Sequence, residues 1–387
     1  MPQTTSLVLS EEQQLLQDSA RDFVADQFSI DSLRQLRDKR DDAGFAPGFD
    51  KAAWKQMAEL GWAGITIPEE HGGAELGLAE LGVLLEELGR KLVITPLVST
   101  LVAGAGCLLE GGTAEQQAAI LPGVCEGDLL LALALQETAR HAPYAVSTTA
   151  RTDGDGFVLD GSKTLVLDGI AADQLIVVAR TSGVSGERSG LSLFLVDANA
   201  KGLTRTATFL MDSRTTADLT FDGVRVGKDA LIGTLDAGAD VLDPVIDRVA
   251  TALSAEMMGG VQDAFERTVQ FLKDREQFGV KIGTFQGLKH RAARWFCEVE
   301  LSKSIVLKTL RAHDTGDTEA AKLSSVCKAR LSDTFRYSGE EGIQMHGGVG
   351  VTDEEDIGFY MKRARVSELL FGDASFHRDR FASLQSF

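Results

Sequence analysis

Two stretches of this sequence combine residue types that can hold a phosphate-bearing or flat ligand, and a third sets a carboxylate in a tight turn. In D-R-E-Q-F-G-V-K-I-G-T-F-Q-G-L-K-H-R, residues 274–291, Arg275 offers a rigid fork of donors suited to a pyrophosphate, with Gln277, Phe278, Phe285 and Gln286 close behind. In Q-M-H-G-G-V-G-V-T-D-E-E, residues 344–355, Gly347 and Gly348 let a backbone approach an anion or a ring closely, and Gln344 can read its edge. Near the C-terminus, L-L-F-G-D-A-S-F-H, residues 369–377, carries Asp373 directly after a Gly. Each has a plainer reading. An Arg–Glu pair belongs on a solvated helix face, Gly-Gly marks a turn, and Asp373 caps a helix whose apolar stripe is Phe376 and Phe381.

The elements that must position these residues follow an α, then β, then α order. Ser10-Glu11-Glu12 starts a helical run in which Leu15, Leu16, Ala20, Phe23 and Val24 recur at three- and four-residue spacing. A second run covers Ala52 to Leu60, Pro68 and paired glycines break the pattern, and a Leu- and Glu-rich helix spans about 75–92. From residue 126 the texture becomes short apolar or alternating stretches cut by D-G, which read as strands and hairpins up to about 228. The helical period returns from 240. The βαβα alternation of a Rossmann sheet is absent. The predicted domains are 1–125 (α-helical), 126–235 (β) and 236–387 (helix bundle).

Bulk properties bound the partners. A formal charge of −18 argues against nucleic acid and anionic membranes, both of which need a basic face. It leaves room for a phosphate-bearing cofactor in a local pocket. Cys107, Cys125, Cys297 and Cys327 are scattered without ligand spacing, so they read as unlinked thiols, not as a disulfide or metal set. The first residues lack a basic start followed by an apolar stretch, and no apolar segment of about 18 residues occurs. The expected location is the cytoplasm.

Taken together, the stretches at 274–291 and 344–355 and the hairpin D-G-F-V-L-D-G-S-K-T resemble the acyl-CoA dehydrogenase family of flavoproteins, in order and separation, over nearly the whole chain. The resemblance implies an α+β fold: an N-terminal helical domain, a middle β-barrel or sandwich domain, and a C-terminal four-helix bundle. It also implies FAD as cofactor, an acyl-CoA thioester as substrate and an electron-transferring flavoprotein as acceptor. The family's Arg at the place of Arg275 reaches across a subunit interface to the FAD diphosphate. Gln277, Phe278, Phe285 and Gln286 flank that region, while Gln344, His346, Gly347 and Gly348 match positions that bind the ADP half of a neighbour's FAD.

The chain departs from the family where the flavin ring binds. Members with their own ring site show T-E-P-x-x-G-S-D before the hairpin and W-I-T after G-x-K. This chain has L-Q-E-T-A-R-H-A-P-Y at 135–144, with Gln136 for the Thr and no Gly-Ser pair, and S-K-T-L-V-L, with Leu165 and Leu167 for Trp and Thr. Family chemistry removes the α-hydrogen as a proton while the β-hydrogen leaves to the flavin as a hydride, so a Glu base is required. At one usual location the chain has Phe371; at the other, 26 residues before Arg275, it has Val249. Asp373 and Asp247 stand nearby and are the displaced candidates. A two-residue shift turns a helical side chain by about 200°, so Asp247 reads as a solvated residue near a helix start.

This pattern of loss is similar to the small subunits of heteromeric acyl-CoA dehydrogenases, such as that of pimeloyl-CoA dehydrogenase and those of steroid side-chain breakdown. It implies a larger subunit as partner, in a heterotetramer, that keeps the base and the ring contacts. The alternative is a self-sufficient homotetramer using Asp373 or Asp247.

Overall fold

A computed structural model describes residues 8–39 and 48–387; residues 1–7, read in the sequence for a leader, lie outside that set. The helices are α1 (Glu11–Gln27), α2 (Ile30–Asp38), α3 (Lys51–Glu59), α4 (Leu78–Arg90), α5 (Gly106–Gly111) and α6 (Ala114–Cys125) before the sheet, with a π-helical segment at Leu97–Ala105. The strands are β1 (Leu131–Ala134), β2 (Thr149–Asp153), β3 (Gly156–Leu167), β4 (Gln174–Arg180), β5 (Leu191–Asp197), β6 (Leu203–Phe209), β7 (Thr215–Gly227) and β8 (Leu231–Ile232). After them come α7 (Ala239–Asp274), the hairpin strands β9 (Glu276–Gln277) and β10 (Val280–Lys281), α8 (Gln286–Asp314), α9 (Ala320–His346), α10 (Ile357–Leu369) and α11 (Ala374–Leu384).

The described chain divides into two compact units. One holds α1, α4 and residues 250–387; the other holds residues 35–77 and 94–249. In the helical unit, Ser10 and Gln13 form the capping box that starts α1, and Ala20 and Val24 are buried while Leu15 is exposed. Glycines let α4 and α7 touch backbone to backbone. A Cβ at Gly89 would lie 2.0 Å from the Glu256 carbonyl oxygen, and one at Gly259 would lie 1.8 Å from that of Glu86. Buried Arg363 fixes the same region, donating to Glu256 and to the Leu92 carbonyl, each at 3.0 Å.

In the other unit, eight strands form one sheet in the order β6-β7-β3-β2-β4-β5-β8, with β1 added parallel to β4. Its core includes Leu159, Val166, Leu175, Val177, Phe194 and Leu219, residues that strand periodicity turns inward. The D-G pairs behave in two ways. Asp153-Gly154 makes the predicted β2–β3 turn, but Asp160-Gly161 and Asp222-Gly223 stay inside β3 and β7. There the register shifts between Leu159 and Gly161, and the Gly223 N–H donates to the Asp160 carboxylate at 2.8 Å. Those two pairs form a bulge, not hairpins.

Candidate functional site

The helical unit brings the first two stretches together. The Arg275 N–H donates to the Phe271 carbonyl at the end of α7, and the Ile282 N–H returns to the Arg275 carbonyl at 3.0 Å, closing the β9–β10 hairpin. Phe271 also stacks on His346 at 4.3 Å between ring centroids, which ties the hairpin base to the end of α9. Arg275, Gln277, Phe278, Gln286, Gln344, Gly347 and Gly348 are all exposed. Phe278 and Phe285 meet edge to face at 6.2 Å, yet Phe278 is 91% exposed, an arrangement that internal packing does not explain.

His346 is the exception among these positions. It is buried, its Nδ1 donates to the Gly342 carbonyl at 2.7 Å, and its ring lies on Phe271. Its structural part is to hold the turn.

The rest of this face suits an anionic, flat ligand. Among the described residues the Arg275 guanidinium has no hydrogen bond or ion pair, and neither does the Gln344 amide. Gly347 needs to be glycine for its own backbone (φ 64°, ψ −141°). Gly348 does not: a Cβ there would meet nothing within 4 Å. The space over Gly348 is open to a ligand, so these residues fit the ADP half of FAD.

The segments matching the ring half lie in the sheet unit, and several of their polar groups are bonded internally. Lys163, fully buried, donates to the Glu137 carboxylate at 2.8 Å and to the Leu135 carbonyl at 3.1 Å. Glu137 in turn accepts from the Ser147 and Thr148 N–H groups at 2.7 and 2.8 Å. Burial pushes the Lys163 amine down to about 8, against the pull of Glu137. The Glu137 carboxyl sits below its ordinary range: its burial acts the other way, and Lys163 with the Thr148 bonds outweighs it. This pair fixes the loop after β1. The two residues lie 26 positions apart in the chain, and no local period joins them.

On that frame, the Gln136 amide oxygen is bonded to His141 Nδ1 at 2.9 Å. The Thr164 hydroxyl and the Leu165 N–H go to Asp218, the latter at 3.1 Å. Leu165 has φ 54° and, like Leu167, is half-buried; neither side chain has a hydrogen bond to give. The residues present do not supply the ring contacts of T-E-P-x-x-G-S-D and W-I-T.

The base positions are equally plain. Val249 in α7 is fully buried. Asp247 is not the solvated residue near a helix start that its position in the sequence predicts. It lies in the third turn of α7 and is only 5% exposed; one turn earlier Asp243 binds the Tyr144 hydroxyl and Arg188, each at 2.8 Å. Asp373 caps α11, its carboxylate accepting from the Phe376 N–H at 2.8 Å. The buried residues of that helix are Ala374 and His377, with Phe376 and Phe381 half-buried. Phe371 occupies the turn before it with φ 54°.

A helical N-terminal region, a middle sheet and a C-terminal helical region that leaves an arginine and paired glycines exposed are the arrangement of a class of three-part flavoprotein dehydrogenases. The acyl-CoA dehydrogenase family models match successive parts of the chain: the N-terminal domain at 10–128, the middle domain at 134–224 and the C-terminal domain at 236–383. The chain belongs to the acyl-CoA dehydrogenase family, FAD-dependent oxidoreductases that act on CH–CH bonds. It is 29% identical over 376 residues to acyl-CoA dehydrogenase FadE12 of Mycobacterium tuberculosis, covering 94% of this chain and 93% of that protein. A variant of the Tcur3481-Tcur3483 steroid ACAD is 33% identical, with a TM-score of 0.86 over 97% of this chain and 98% of that one. Butyryl-CoA dehydrogenase from Megasphaera elsdenii shares the fold, with a TM-score of 0.91 over 99% and 100% of the two chains at 22% identity. Among the described residues no helix is long and apolar enough to cross a membrane, and no cluster of His, Cys, Asp or Glu could hold a metal.

Proposed function

We propose that this acyl-CoA dehydrogenase works as the non-catalytic subunit of a heteromeric enzyme, lending its ADP-binding face to the FAD of a larger partner subunit. The observation that carries this reading is the contrast between the two halves. Arg275, Gln344 and Gly348 are free for a ligand, whereas the ring segment has the Gln136 oxygen, Thr164 and the Leu165 N–H bonded internally and both usual base positions hold hydrocarbon side chains, Val249 and Phe371.

In this reading Arg275 clamps the diphosphate, Gln344 reads the adenine edge, and the backbone at Gly347 and Gly348 approaches the ligand. Phe278, Phe285, Gln277 and Gln286 shield that contact from water. When bound, FAD supplies the electron sink for α,β-dehydrogenation, and the partner supplies the proton acceptor. Electrons then pass to an electron-transferring flavoprotein. The name of the steroid ACAD relative joins two proteins, which supports a two-chain assembly.

The second reading, a homotetramer with a displaced base, draws on Asp247, a buried carboxylate in α7 two residues from Val249. Asp373 is committed as a cap. Expression of the chain alone and together with a candidate large acyl-CoA dehydrogenase subunit from the same genome separates the two. The heteromeric reading expects no acyl-CoA oxidation by the lone chain and one FAD per pair of chains in the co-purified enzyme. One FAD per chain with turnover by the lone protein overturns it, and loss of that turnover in Asp247→Asn with flavin retained identifies the base.

A further inference from the structure

The turn after α10 is held by side chains that bond to its backbone carbonyls. Lys328 of α9, fully buried, donates to the Glu368 carbonyl at 3.0 Å and the Gly372 carbonyl at 2.9 Å. His377 of α11, also buried, donates from Nε2 to the Phe371 carbonyl at 2.9 Å. The Asp373 cap closes the far side. Between these anchors Phe371 and Gly372 both take positive φ, 54° and 101°. A bulky residue rarely adopts that conformation unless its surroundings impose it.

We propose that Lys328 and His377 are positioning residues that hold residue 371 in the left-handed conformation and so fix the direction of its side chain. The inference goes beyond the heteromeric reading and does not depend on it. The three bonds end on the carbonyls of residues 368, 371 and 372, so the frame is indifferent to which side chain stands at 371. The same frame would aim a glutamate there as firmly as it aims the phenylalanine.

A buried lysine is a costly anchor. Burial pushes the Lys328 amine down to about 7, opposed by the charges of Glu368 and Asp373. Groups of that kind persist where a particular backbone geometry depends on them.

The test places 4-trifluoromethyl-phenylalanine at position 371 of the purified, assembled protein and records its fluorine NMR signal well below the unfolding temperature. The otherwise unaltered protein is expected to give a single line. Lys328→Met, similar in volume but without donors, is expected to shift or split it. Lys328→Ala should do the same and recover the single line in propylammonium chloride, but not in tetramethylammonium chloride, which carries equal charge and no N–H donor. An unmoved line in Lys328→Met, whatever happens to the melting temperature, overturns the proposal by making Lys328 an ordinary core residue. If the Lys328 variants do not fold, His377→Leu removes the single bond to the Phe371 carbonyl and is read the same way: a shifted line supports the frame and an unchanged one refutes it.

Discussion

Gly348→Ala separates what the fold needs from what the ligand needs. The added methyl meets no protein atom within 4 Å, and Gly348 is not among the residues with positive φ. In the FAD-free protein the substitution should therefore be neutral or stabilising by ~0.4–1 kcal/mol, through reduced freedom of the unfolded chain. On the proposed placement of FAD, the same methyl would intrude on a packed contact. Overpacking of that kind costs ~1–3 kcal/mol, equivalent to roughly 5- to 150-fold in affinity. Urea denaturation of the FAD-free protein and a flavin-fluorescence titration of the assembled enzyme measure the two effects separately. Unchanged FAD affinity would refute the placement of the ligand over this backbone. A stability loss above about 1 kcal/mol would refute the claim that Gly348 is free of the fold. Gly347→Ala is no substitute, because its φ of 64° and ψ of −141° strain any side chain before a ligand arrives.

Three further substitutions address the frames around the two halves. Lys163→Met leaves Glu137 without its cation and should destabilise the sheet unit by ~3–5 kcal/mol. The Glu137 contribution is lost as pH falls through its folded pKa, and without Lys163 that loss, followed by denaturation at stepped acidic pH, should begin at higher pH. Lys328 titrates at about 7 in the folded chain against 10.5 as a free side chain. Between those values the unfolded chain binds more protons, so stability rises with pH. From pH 7 to pH 9 Lys328 should add ~2 kcal/mol, an increment that urea denaturation of Lys328→Met should find missing. Asp373→Ala removes the cap of α11 and should lower stability by ~0.5–2 kcal/mol in thermal denaturation, while acyl-CoA oxidation by the assembled enzyme stays unchanged. A large drop in turnover with stability intact would instead make Asp373 the base.

The order of elements was legible because it rests on local rules. The Ser10 cap, the helical period through Val24 and the Asp153-Gly154 turn each depend on a few neighbouring residues. The same D-G dipeptide misled at residues 160–161 and 222–223, where two strands share one irregularity and the pairing partner lies some sixty residues away. Asp247 shows the same limit. It is buried one turn beyond Asp243, which meets Tyr144 from a distant loop, and no local period announces that. His346 sits beside the two glycines in sequence but turns inward because Phe271 offers it a ring. The Lys163–Glu137 pair and the Lys328 clamp had only weak signals. Lys163 stood in the hairpin motif as a residue type without a partner, and Lys328 follows Cys327 as an unremarkable charge on an amphipathic helix.

What distinguishes the two halves of the site is the state of their polar groups, more than the count of changed residues. A donor already bonded within the protein must give up that partner before it serves a ligand, so an unpaired group is the better placed of the two. Arg275 and Gln344 are in that open state. Gln136, Thr164 and the Leu165 N–H are bonded within the sheet unit, and Leu165 and Leu167 contribute only hydrocarbon. A symmetric assembly in which each copy lends its ADP face to the other would give every site one open half and one closed half, leaving none complete. Pairing with a chain that retains the ring half gives one complete site per pair. The heteromeric proposal rests on which hydrogen bonds this chain keeps for itself, and it does not depend on which acyl group is oxidised.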